Sequence, residues 1–137
     1  MGISKDLETG VDTRVPLGRE RVRQAARMAA QAAGGWSFKG GVIAYSKISE
    51  IREAERGLTF AVSALGGRRL LQFRVFDEQI TPERSVVRVG IGEHLQIQQR
   101  GSFGIPTDRR RVAGFGSYVK FVRAFGAELE RRAESLP

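Results

Sequence analysis

His94 is the only histidine in a chain that contains no cysteine. With Gly92, Glu93, Gln96 and Gln98 around it and no nucleophile or orienting group nearby in sequence, it reads as an exposed turn residue. A general base would need both of those partners within reach. The missing cysteines exclude disulfides, thiol nucleophiles and Cys-based zinc, haem or iron–sulfur sites, and a single histidine excludes multi-His metal centres. Glu50, Glu53 and Glu55 form the densest carboxylate group, but Arg52 and Arg56 interleave them. A metal would compete with those guanidinium groups, so the segment reads as solvated and ion-paired. The expectation is a non-catalytic protein with no cofactor and no metal.

Anion binding is the other chemistry these residue types allow. The chain carries 23 Lys and Arg against 15 Asp and Glu, a net charge of +8 with a sequence pI near 11.0. The excess is spread along the chain, and no segment forms a basic arm. Gly114-Phe115-Gly116-Ser117 follows Arg109-Arg110-Arg111 and opens a helix, which supplies glycines, a hydroxyl and backbone N–H groups beside arginine, as an anion site requires. The segment matches neither glycine-rich phosphate-loop pattern, so its glycines serve equally well as a bend. Arg74, Arg88 and Arg100, with Gln72, Gln96 and Gln98, fall on one parity of the strands and would make a polar platform. Single-strand binders add exposed aromatic rings to such a sheet, and Phe76 is the aromatic residue on that parity. The candidate anion or nucleic-acid set is therefore Arg74, Arg88, Arg100, Arg109, Arg110, Arg111 and Ser117.

These residues need elements to hold them. Residues 1–10 are polar and read as a frayed leader. Residues 11–15 alternate up to Pro16, as a short edge strand does. In 19–33, Val22, Ala25, Ala26, Ala29, Ala30 and Ala33 recur at helical spacing and Gly34-Gly35 supplies a stop. The Arg19, Arg23, Arg27 stripe of that helix reads as a solvated edge. The period then changes to two. Gly40-Gly41 joins two strands, and 48–56 fits a bent, charged strand or a short helix, with the strand preferred. Gly66-Gly67 makes a two-residue hairpin pairing Leu58 with Val75, Phe60 with Phe73, Val62 with Leu71 and Ser63 with Leu70. Residues 77–84 read as a polar loop around Pro82. Val87, Val89 and Ile91 share parity with Leu95 and Ile97, through either a hairpin at 92–94 or one long strand. Tyr118, Phe121, Val122, Phe125 and Leu129 stripe a final helix over about 117–133.

Short turns make antiparallel neighbours, and a sheet with one apolar face needs a cover. The expected fold is α+β, one curved antiparallel sheet of about six strands packed on two helices with the C-terminal helix covering it. Residues 11–137 are expected to form a single domain. In element order, carried by residues 11–15, the helix to Ala33, the Gly66-Gly67 hairpin and Tyr118 to Leu129, the chain resembles the helix-grip folds of Bet v 1-like and TBP-like layout. Three functions follow as expectations. The first is a binding or interaction domain whose partner contacts the Arg/Gln-rich sheet face or an apolar pocket, a second copy included. The second is a carrier of a small apolar ligand, its pocket lined by Trp36, Phe38, Phe60, Phe73, Tyr118, Phe121 and Phe125. The third is nucleic-acid binding through arginine. No apolar run is long enough to span a membrane and the first residues lack a signal-peptide core, which makes a cytoplasmic location the expectation.

Overall fold

The computed structural model describes residues 3–39, 42–94 and 115–135, with the side chains of 4, 37–39, 42–44 and 92–94 not described. Its elements are α1 (Ile3–Glu8), β1 (Thr13–Val15), α2 (Arg19–Ala33), β2 (Gly35–Lys39), β3 (Val42–Ala54), β4 (Gly57–Ala64), β5 (Arg69–Thr81), β6 (Arg84–His94) and α3 (Phe115–Glu134). The strands form one antiparallel sheet in the order β1-β6-β5-β4-β3-β2. It curls into a half-barrel, and α3 packs against its inner face. Alternation builds that face: Leu58, Phe60 and Val62 on β4 are buried beside Leu71, Phe73 and Val75 on β5 and Val87 and Val89 on β6. Phe121, Phe125 and Leu129 fall one turn apart on α3 and, with Val122 beside them, close the layer. The small Ala face of α2 packs chiefly on α3.

Several local expectations change. The segment read as a frayed leader holds α1, because Ile3 and Leu7, four residues apart, bury one helical face against α3. Arg123 adds an ion pair to Glu8 at 3.0 Å. Residues 77–84 are not a loop. β5 and β6 stay paired to Thr81 and Arg84, so the turn is Pro82-Glu83, and polar residues sit there because these strand ends are exposed. Strand β6 runs through Gly92-Glu93-His94 as one strand, with a bulge opposite Gln72, rather than turning there. Gln96, Gln98 and Leu95 lie outside the described residues.

The hairpin around Gly66 and Gly67 keeps the expected pairs Leu58 with Val75, Phe60 with Phe73 and Val62 with Leu71. Ser63 meets Arg69 instead of Leu70, because a bulge beside Leu70 lengthens the turn, and Ala64 N–H donates to Arg68 O at 2.8 Å. Both turn glycines have positive φ, +97° and +92°, which other residues rarely adopt. Residues 48–54 are strand, as preferred, and bent by a bulge between Glu50 and Arg52.

Candidate functional site

The inner edge of the sheet holds a buried ion network. Arg23 projects from α2 and is only 6% exposed, against Asp77 at 1%. Its Nε donates to Asp77 Oδ2 at 2.8 Å and its Nη2 to Asp77 Oδ1 at 3.0 Å, a bidentate clasp. Nη1 donates to Glu53 Oε2 at 3.0 Å, and Nη2 also reaches the carbonyls of Ala54 at 2.6 Å and Glu55 at 3.2 Å. The hydrogen bonds that Arg23 donates to Asp77 raise the Arg23 pKa against the lowering effect of burial, so the guanidinium stays charged. Arg19 lies 3.1 Å from the same carboxylate, and Arg27 donates to Glu50 at 2.7 and 3.2 Å. The arginine stripe is therefore not a solvated edge. It fastens α2 to β5 and to the β3–β4 turn.

Glu50 and Glu53 are ion-paired, but to α2 rather than to their sequence neighbours Arg52 and Arg56. With Arg23, Arg19 and Arg27 on Asp77, Glu53 and Glu50, this network is a structural clasp and offers no unpaired carboxylate for acid–base chemistry.

The proposed apolar pocket divides. Phe60, Phe73, Phe121 and Phe125 are all fully buried and touch one another, with ring centroids 5.4 Å apart for Phe60–Phe73, 4.6 Å for Phe73–Phe121 and 5.5 Å for Phe121–Phe125. Rings at contact distance leave no room for a ligand between them. Tyr118 is half-buried with its ring edge-on to Phe73 at 5.2 Å. Trp36 is not with them. It is 61% exposed, and its ring meets Tyr45 at 5.1 Å on the opposite face of the sheet. Phe38 pairs in register with Ile43, and its side chain is among those not described.

The outer face is built by register. Ser46 lies on the inner side, where its Oγ shares a 2.5 Å hydrogen bond with Ser117 Oγ of α3, so Tyr45 and Lys47 point outward. Ser117 thus joins helix to sheet instead of standing free for an anion. Past the bulge at Ile51 the parity reverses: Glu53 turns inward to Arg23 and Arg52 turns outward. Arg52, Thr59 and Arg74 then form one cross-strand row, and Lys47, Ser63 and Arg69 form another. Phe76 follows on β5, opposite Arg88, whose guanidinium carbon sits 4.7 Å from the Phe76 ring centroid. Between Tyr45 and Phe76 the outward positions of β3 to β6 that are described carry Lys47, Arg52, Arg69, Arg74 and Arg88 and no carboxylate; the first outward acid is Glu78, the next outward position of β5 beyond Phe76, opposite Val86. Arg88 has Asp12 at 3.6 Å on the rim. Lys47, Arg52, Arg69 and Arg74 have no ion-pair or hydrogen-bonding side-chain partner among the described residues.

No family model, curated protein or solved structure matches this chain.

Of the expected anion set, Arg74 and Arg88 share this face. Arg100, Arg109, Arg110 and Arg111 lie outside the described residues, as does Gly114. Sequence reasoning missed Lys47, Arg52, Arg69 and Tyr45. The register of β2 on β3 pairs Trp36 with Tyr45, as the Gly40-Gly41 turn signal in the sequence predicts, so that signal was available. The outward turn of Arg52 depends on a bulge that alternation alone does not predict. Among the described residues no helix is long and apolar enough to cross a membrane.

Proposed function

We propose that this protein is a non-catalytic, cytoplasmic binding domain that engages an anionic partner through the outer face of β3 to β6. The observation that carries this reading is the segregation of charge. The inner arginines have carboxylate partners, whereas the outward cations Lys47, Arg52, Arg69 and Arg74 have none among the described residues. Like charges on neighbouring strands repel one another, and a bound polyanion relieves that repulsion. The curled sheet on a C-terminal helix fits a helix-grip layout, and we read the chain as a small domain of that type. A carrier function for its concave side is not favoured, since Phe60, Phe73, Phe121 and Phe125 pack on one another there.

The test is retention on immobilised heparin along a salt gradient, comparing Arg52→Gln/Arg74→Gln with the control pair Arg21→Gln/Arg131→Gln, which removes the same charge from the helices. The sheet variant elutes at clearly lower salt, while the control elutes near the unaltered protein. Equal shifts for the two pairs would show that only net charge matters, and the assignment to this face would fail.

A further inference from the structure

We infer that the anionic partner is single-stranded nucleic acid, held with its phosphates on the outward cations and its bases on the Trp36–Tyr45 pair. The inference rests on the sheet-face reading above and adds to it the aromatic rings. Trp36 is 61% exposed although it is the largest apolar side chain in the protein and pairs with Tyr45 in a described strand register. An exposed tryptophan beside a tyrosine on a basic sheet supplies two π-faces, and every base has a π-face to lay against them. At the other end of the same surface Phe76 lies beneath Arg88, so a flat guanidinium and a ring close the track.

The dimensions fit an extended strand. From Tyr45 to Ala54 the outer face runs nine residue steps along β3, roughly 30 Å at about 3.3 Å per step. That is room for several nucleotides, within the about 4 to 16 that a single sheet-based module covers. The two cation rows, Lys47 with Arg69 and Arg52 with Arg74, cross this track between its aromatic ends. Ser49, Thr59 and Gln72 lie outward among them and offer neutral hydrogen-bonding groups without adding negative charge. A duplex would satisfy the cations but keeps its bases stacked within itself, leaving Trp36 unused. An acidic protein or a sulfated polysaccharide would likewise leave both rings without a stacking partner. Single strands use cations and rings together.

Trp36 is the only tryptophan in the chain, so its fluorescence reports on this face alone. The full chain is titrated at about 50 mM salt with twelve-nucleotide-scale oligo-dT and oligo-rU, with a duplex of equal length, and with a heparin fragment. The single strands should quench Trp36 and bind more tightly than the duplex. The dT and rU arms show whether DNA, RNA or both are held. Trp36→Ala should weaken single-strand binding by about 5- to 150-fold, the range for loss of one stacked base, and leave heparin binding unchanged. Tyr45→Ala serves as the second variant, and circular dichroism checks that both fold.

Heparin binding that depends on Arg52 and Arg74, with single strands bound no better than duplex or without quenching, would overturn this inference and leave the anionic sheet face standing. Absence of binding to every polyanion would overturn both. A concentration-dependent shift of Trp36 emission with no nucleic acid present would assign the surface to a second copy of the chain and likewise overturn the inference.

Discussion

Arg23 and Arg74 show what two sides of one sheet do with the same side chain. Arg23 lies inside, with Asp77 clasped bidentately and Glu53 and two carbonyls completing its donors. Arg74 lies outside on β5, the strand that also bears Asp77, in a row with Arg52 and no carboxylate. A buried arginine is tolerated only when its hydrogen bonds are made, so Arg23 serves the fold. An exposed arginine among like charges contributes little to folding, which leaves Arg74 available for a partner. Charge count alone does not separate the two. Partnering does.

The largest expected effect breaks the inner side of this comparison. Arg23→Met leaves Asp77 buried with Arg19 as its remaining ion-pair partner, and removing one member of a buried pair costs about 3–5 kcal/mol. Urea unfolding followed by circular dichroism measures the loss. The double variant Arg23→Met/Asp77→Leu recovers most of it, since apolar replacement of a whole buried pair is often neutral or stabilising. A loss below about 1 kcal/mol for the single variant would place Arg23 with the surface arginines instead.

How far the chain could be read without its structure follows from what each feature depends on. The sheet, the Ala-faced α2 and the Phe-rich α3 were legible because each repeats one period over many residues. The pairs Leu58–Val75, Phe60–Phe73 and Val62–Leu71 were legible because a glycine turn anchors their register. Arg52 was not, because the bulge at Ile51 reverses its face, and one inserted residue leaves no mark in an alternating pattern. The polar residues from Asp77 onward suggest a loop, yet Asp77 pairs with Val87 in the sheet and Arg23 reaches across from α2 to neutralise it there. Partners distant in sequence decide both cases. Helix α1 was missed for a related reason, since six residues hold too short a pattern to stand out before docking on α3 is known.

A middle-sized effect sharpens the boundary between the two sides. Arg27 is half-exposed and bonds Glu50 at 2.7 and 3.2 Å, so it belongs to the inner network by geometry and to the surface by solvation. Arg27→Gln should cost about 0.2–1 kcal/mol, the range for solvent-screened pairs. A cost of several kcal/mol would mean that the network acts as one cooperative unit. On the outer side, Arg52→Gln/Arg74→Gln should change unfolding free energy by less than about 0.5 kcal/mol. The same variant should reduce the salt dependence of single-strand binding by about 1.4 in logarithmic slope, two phosphate contacts at about 0.7 each. A large stability change with an unaltered slope would turn the comparison around.

The smallest expected effect is a pH dependence that stays flat. The hydrogen bond to Glu50 raises the Arg27 pKa, and that to Asp77 raises the Arg23 pKa, with burial opposing in both. A group whose pKa is higher in the folded protein stabilises it fully below the unfolded pKa and loses that contribution only as pH rises through the folded one. For arginine that loss lies at strongly alkaline pH, far above the neutral range. The stability difference between the unaltered protein and Arg27→Gln should therefore be the same at about pH 7 and about pH 9, measured by urea unfolding in matched salt. A difference that shrinks or grows across this window would show that the stabilisation attributed to a permanently charged guanidinium depends on some other titrating group. The division between paired inner arginines and free outer ones would then have to be redrawn around that group.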